Sequence, residues 1–183
     1  AAEIEVLAGN DIGLVLSEVF YDSAGVDDGL EWVEIFNGGR QAIDLAQYSL
    51  GNGGEDYTFS RVQLSGVIRP GQCFVVGGPT SNANNAAPTF DQSIRFTPNF
   101  QNSGATADGV ALFDVAAQSV TPTTVPIDAV IYGTTNTNRL IDANGTVPTP
   151  HVANSGSGRS LERTPDGWRV QPLPTPNVCS LLE

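Results

Sequence analysis

Residues 30–37 read LEWVEIFN, and this stretch decides the fold class. Its β-branched and aromatic content marks a strand. Successive side chains of a strand point to opposite faces. Trp32, Glu34 and Phe36 therefore share one face, while Glu31, Val33 and Ile35 share the other. With a glutamate on each face, at most one is expected to look into a two-layer core. An unpaired interior carboxylate is costly, so the spacing predicts a bidentate arginine partner from Arg40, Arg61 or Arg163. Glu18, on the preceding strand, is expected to join that network across the sheet.

Outward from this stretch the pattern repeats. GLVLSEVF (13–20) reads as a strand with Leu14, Leu16 and Glu18 on one face and Val15, Ser17 and Val19 on the other. Asn37-Gly38-Gly39 supplies a turn. Further strands are read in AIDLAQYSLGN (42–52), DYTFS (56–60), VIRPGQCFVVGG (67–78), DGVALFD (108–114) and PIDAVIYG (126–133). GRSLERTPDGW (158–168) adds a strand and turn, and IRF (94–96) a short edge strand. Arg69-Pro70-Gly71 is a turn, because proline presets φ and glycine accepts the left-handed site. No segment keeps a 3.6-residue period, so almost no helix is expected. Short apolar runs between Gly, Pro, Asn and Asp predict an all-β sandwich with two long polar loops, 79–107 and 134–157. In the first loop, Phe90, Phe96 and Phe100 are expected to pin it to the body.

The chain has 183 residues, 40% of them hydrophobic, which supports a core at this size. One domain is expected over 1–181. Leu182–Glu183 reads as a cloning scar, and the AAEIEV opening is consistent with a mature end after small-residue cleavage. All basic residues are arginine, and the net charge is −12. So acidic a chain, without a basic stripe, argues against nucleic acid. No apolar run is long enough for a membrane helix. Cys73 and Cys179 permit one disulfide without requiring it.

Several segments together resemble the lamin-tail domain family. They are LVLSEVFYDSAGVDDGLEWVEIFNGGRQAIDLAQYSLGNGG, then VIRPGQCFVVGG, DGVALFD, DAVIYG and GRSLERTPDGW with PTPNV, in order over 13–178. The resemblance implies an immunoglobulin-like β-sandwich. It is similar to the bacterial branch, which occurs in secreted or cell-surface proteins, often beside hydrolases. The coiled-coil rod and basic character of animal lamins are missing, which removes filament assembly and chromatin binding.

The loop YDSAGVDDGL raises a metal reading. Calcium takes six to eight oxygens. Asp22, Asp27 and Asp28 lie in one loop, with Glu18 and Glu31 flanking it, and these five are the candidate calcium ligands. No EF-hand pattern is present. His151 is the one histidine and reads as an exposed loop residue. No nucleophile elbow or phosphate-binding loop exists. Trp32 and Trp168 would make a sugar-binding platform if both were exposed and coplanar.

These observations imply a non-catalytic binding or structural module, secreted or on the cell surface, with a protein or cell-surface polymer as partner and calcium as an expected stabiliser. The alternatives are a hydrolase or hydrolase-accessory domain using carboxylates, and a carbohydrate-binding module.

Overall fold

LEWVEIFN forms an interior strand whose six ordered positions, Trp32–Asn37, are buried on both faces. A computed structural model describes residues 12–179 and 181. The AAEIEV opening and Leu182–Glu183 lie outside the described residues. The strands are β1 (Leu14–Asp22), β2 (Trp32–Asn37), β3 (Ile43–Asp44), β4 (Ser49–Gly53), β5 (Ser60–Gln63), β6 (Val67–Ile68), β7 (Cys73–Gly77), β8 (Gln92–Ser93), β9 (Asp108–Phe113), β10 (Asp128–Tyr132), β11 (Arg159–Thr164) and β12 (Gly167–Gln171). Three short 3-10 turns are the helical structure among the described residues.

Six strands form one sheet in the order β12-β11-β1-β2-β7-β8, and four form the facing sheet, β10-β9-β4-β5. β3 and β6 make a separate two-stranded ribbon. Pairing is antiparallel except between β7 and β8. The inner faces meet in one core. The large sheet contributes Leu16, Val19, Tyr21, Val33, Ile35 and Val76; the small sheet contributes Leu50, Val62, Val110, Leu112, Val130 and Tyr132. Each fully buried aliphatic or phenyl side chain there stabilises the fold by about 1.5–3 kcal/mol.

Both outer faces are covered as well. Phe20, Trp32 and Val75 pack under Phe90 outside the large sheet. Tyr57, Ala111, Phe113, Ile131 and Leu140 pack outside the small one. Strands buried on two faces lose the apolar/polar alternation of a half-exposed sheet. Glutamate in such a strand is buried whichever way it points: Glu18, Glu31 and Glu34 are each 1% exposed. As expected, only Glu31 lies on the sandwich side with Val33 and Ile35, while Glu34 shares the outer face with Trp32; Glu34 is buried all the same because a third layer of chain covers the sheet.

One register detail changes the sidedness of β1. Leu16 pairs with Ile35, but Glu18 pairs with Glu34, so Ser17 is an extra residue. Such a bulge turns the residues beyond it over. Leu14 and Leu16 face the core, and so do Val19 and Tyr21. Glu18 therefore points outward, opposite to the strict alternation read from sequence.

Other differences are local. DYTFS is mostly turn, and the strand begins at Ser60 and runs to Gln63. The edge strand in the first long loop is Gln92–Ser93, just before IRF. Phe96 and Phe100 are buried against each other, with centroids 4.2 Å apart, so they pin that loop as expected. Gly77, at φ +155°, lies where a Cβ would come within 2.2 Å of the Glu31 carbonyl, so β2 and β7 need glycine there.

Candidate functional site

Three glutamates stand abreast on the outer face of the large sheet. Glu18 on β1 is directly opposite Glu162 on β11 and Glu34 on β2. Cross-strand neighbours hold their Cβ atoms roughly 4.5–5.5 Å apart. Arg169 on β12 compensates Glu162, with Nη2 2.6 Å from Oε2. The other two carboxylates meet no arginine. Ser160 Oγ donates to Glu18 Oε1 at 2.5 Å, and Ser17 Oγ donates to Glu34 Oε1 at 2.8 Å.

The remaining donors come from the C-terminal segment. Thr175 gives its N–H to Glu18 Oε1 and its hydroxyl to Oε2, both at 2.9 Å. Asn177 gives its N–H to Glu34 Oε2 at 2.7 Å. Cys179 then forms a disulfide with Cys73 on β7. Thr175, Asn177 and Cys179 thus land on β1, β2 and β7 in turn, two residues per strand. Residues 172–179 cross the sheet as a strap. The Asn177 side chain also clasps Thr89, donating to its carbonyl at 2.9 Å and accepting from its N–H at 2.8 Å.

Burial raises the Glu34 carboxyl to about 7, against the pull of its bonds from Ser17 and Asn177, with Glu18 and Asp91 adding to the rise. Burial raises Glu18 in the same way. Two adjacent buried carboxylates without a cation favour the protonated form.

The arginines expected to pair with the EWVE glutamates do other work. Arg163 binds Asp128, and Arg61 donates to the Val120 carbonyl. Arg40 is exposed at the turn after β2. Backbone amides and hydroxyls from distant loops take their place, because the covering segments bring donors to the carboxylates directly.

The five candidate calcium ligands do not converge. Asp22 accepts from Asn102 Nδ2 at 2.9 Å. Asp27 accepts from Ser23 N–H at 2.7 Å, closing its own loop. Asp28 pairs with Arg95 at 2.8 Å. Glu31 accepts the Phe100 N–H at 2.8 Å, and burial raises its carboxyl to about 8, with Asp27 and Asp28 pushing the same way. Glu18 lies under the strap. Asp27, Asp28 and Glu31 thus share one region. Among the described residues, however, no group of three or more His, Cys, Asp or Glu could hold a metal ion.

Among the described residues, clefts open at two places of interest. The first, about 410 Å³, is lined by Gly54, Asp56, Phe59, Gln101, Asp108 and Asn138. Asp108 is raised by burial and accepts from Ser103 N–H and Oγ. A Cβ at Gly54 would lie 2.6 Å from Asp108 Oδ1, so glycine lets the backbone lie against this carboxylate.

The second cleft, about 350 Å³, sits at the open edge of the sandwich between β10 and the β11–β12 hairpin. The Asp128–Arg163 pair contributes to its lining. Arg163 stacks on Trp168, 4.8 Å from the ring centroid. His151 is half-buried here, not an exposed loop residue. Its Nδ1 accepts the Ile131 N–H at 3.2 Å, so the neutral ring carries its proton on Nε2. Burial lowers its pKa. Trp32 is fully buried and donates Nε1–H to the Asn85 carbonyl at 3.0 Å. The paired-tryptophan platform therefore does not form.

The residues that sequence reading missed are Thr175 and Asn177. The signal was present in PTPNVC: amides placed between prolines, just before a cysteine. Its targets lie 157 residues away for Thr175 and 143 for Asn177.

The sequence matches the family described as Lamin Tail Domain over residues 10–153. The chain belongs to the lamin tail domain family. The sandwich described above is the immunoglobulin-like fold of that family. In the lamin tail domain the matched region holds Glu18, Glu31 and Glu34, while the strap lies beyond it. No curated protein matches the chain. A crystal structure of a DUF4876 family protein from Bacteroides thetaiotaomicron is similar at 14% identity and a TM-score of 0.48. The similarity covers 85% of this chain and 64% of that one. The chain thus spans less than two thirds of that structure's length.

Proposed function

We propose that this lamin tail domain is a non-catalytic binding or structural module of a secreted or cell-surface protein. One observation carries the reading. The conspicuous acids Glu18, Glu31 and Glu34 each accept hydrogen bonds that hold a distant chain segment over a sheet. Their chemistry is that of a scaffold, with the surface loops left for recognition. The disulfide supports an oxidising compartment. The net charge of −12 favours a basic or neutral partner, a protein or a cell-surface polymer, over a polyanion. No helix among the described residues is long and apolar enough to cross a membrane.

The test measures retention of the purified domain on immobilised peptidoglycan, chitin and basic protein, with product release followed in parallel. Saturable retention that survives Glu18→Gln and Glu34→Gln supports the module. Turnover of a polymer that either variant abolishes would overturn it, because these carboxylates would then be reacting groups.

A further inference from the structure

We propose that residues 172–179 are a releasable latch, which reduction of the Cys73–Cys179 disulfide unlocks and which the carboxylate pair Glu18–Glu34 then holds or lets go. The strap reads Pro-Leu-Pro-Thr-Pro-Asn-Val-Cys and carries no charged side chain. Prolines 172, 174 and 176 each lack an N–H and restrict φ, which lowers the entropy lost when the segment docks extended. The N–H groups that remain at Thr175 and Asn177 are the ones aimed at Glu18 and Glu34. The strap sits on the sheet through these few polar bonds, the Asn177–Thr89 clasp and the disulfide. Leu173 and Val178 project outward at 77% and 55% exposure, so apolar burial adds little at those two positions. Both cysteines are half-buried, neither enclosed in the core.

Unlocking is a two-electron step. A dithiol attacks one sulfur, the Cys73–Cys179 bond breaks, and two protein thiols form. The dithiol supplies both electrons and both protons and becomes a disulfide. The strap is then held without a covalent tie.

What holds it next depends on protons. Glu18 faces Glu162 across β11 and Glu34 across β2. Arg169 on β12 answers Glu162, and Asp91 ahead of β8 adds negative charge at Glu34. No cation from the strap faces the pair. Docking keeps these carboxylates out of water, which favours the proton against the pull of the bonds from Thr175 and Asn177, whereas release lets water solvate the charge. Burial raises Glu34 to about 7, and the strap's cover is one part of that burial, so the proton-linked part of docking is present at acid pH and is lost as pH rises through about 7.

The experiment is amide hydrogen exchange on the chain, oxidised and reduced, at about pH 5 and about pH 8, corrected for intrinsic exchange rates. In the oxidised protein Thr175 and Asn177 amides are expected to stay protected at both. After reduction, their protection is expected to hold at the lower pH and fall by about tenfold or more at the higher, one pKa unit of linkage being tenfold. The β9 amides should not change. In a reduced Glu18→Gln/Glu34→Gln variant the pH dependence should disappear. Undiminished strap protection in the reduced chain at high pH overturns the latch. So does loss of strap and β9 protection together, which would make the strap part of the cooperative core.

Discussion

Asp128 on the edge strand β10 and Arg163 on β11 meet across the open side of the sandwich, with Arg163 Nη2 2.5 Å from both carboxylate oxygens. Both also hold the backbone of Leu16: Asp128 Oδ2 accepts its N–H and Arg163 Nε donates to its carbonyl, each at 2.8 Å. One ion pair therefore ties both sheets to the bulged section of β1.

Breaking this pair is expected to be costly. Asp128→Ala leaves the Leu16 N–H and a half-buried guanidinium unpaired. Loss of a fully buried partner costs more, but with these side chains 12% and 23% exposed, about 2–3 kcal/mol is expected. Urea unfolding measures it. A cycle with Arg163→Ala should show coupling above about 0.5 kcal/mol; additive losses would mean that the pair does not act as a unit.

Stability should fall as pH rises through neutrality. Glu31 and Glu34 have folded values of about 8 and about 7, above the ordinary 4.5. Between those limits the folded state binds more protons than the unfolded one, so ΔG of unfolding drops with pH. One proton contributes a slope of at most about 1.4 kcal/mol per pH unit. Glu31→Gln should flatten its share of that slope in urea titrations at several pH values. An unchanged slope would show that Glu31 stays ionised in the fold.

Removing the disulfide should destabilise without unfolding. The bridge joins residues 106 apart in sequence. Closing so long a loop constrains the unfolded chain, and a Cys73→Ser/Cys179→Ser variant is expected to lose about 2–5 kcal/mol. Thermal melts under non-reducing conditions report it. Near-wild-type stability would mean that strain in the native bridge offsets the entropic gain.

Calcium should leave the melting temperature of chelator-treated protein unchanged, with magnesium as control. Asp22, Asp27, Asp28, Glu18 and Glu31 are each engaged by a separate protein donor. Only a ligand that prefers the folded state raises Tm. A saturable, calcium-specific rise would instead mean that Asp27, Asp28 and Glu31 rearrange around the ion.

Much of this molecule is legible along the chain. The strands around Val33, Val75, Val110 and Val130 follow from β-branched and aromatic runs, and the Arg69-Pro70-Gly71 turn from proline and glycine geometry. These are local preferences, set within a few residues by sterics. The motifs of LEWVEIFN and its neighbours sufficed for the family. The candidate site was only partly legible: Glu18, Glu31 and Glu34 stood out as acids in strands, but their partners did not.

What folding alone settles is which donor meets which acid. The bulge at Ser17 turns Glu18 outward, and no pattern in GLVLSEVF marks it. The strap then brings Thr175 and Asn177 to Glu18 and Glu34 from more than 140 residues away. Periodicity reports the face on which a side chain lies, because that depends on its own backbone. The layer that covers the face depends on chain segments whose return path is set by the packing of the whole sandwich.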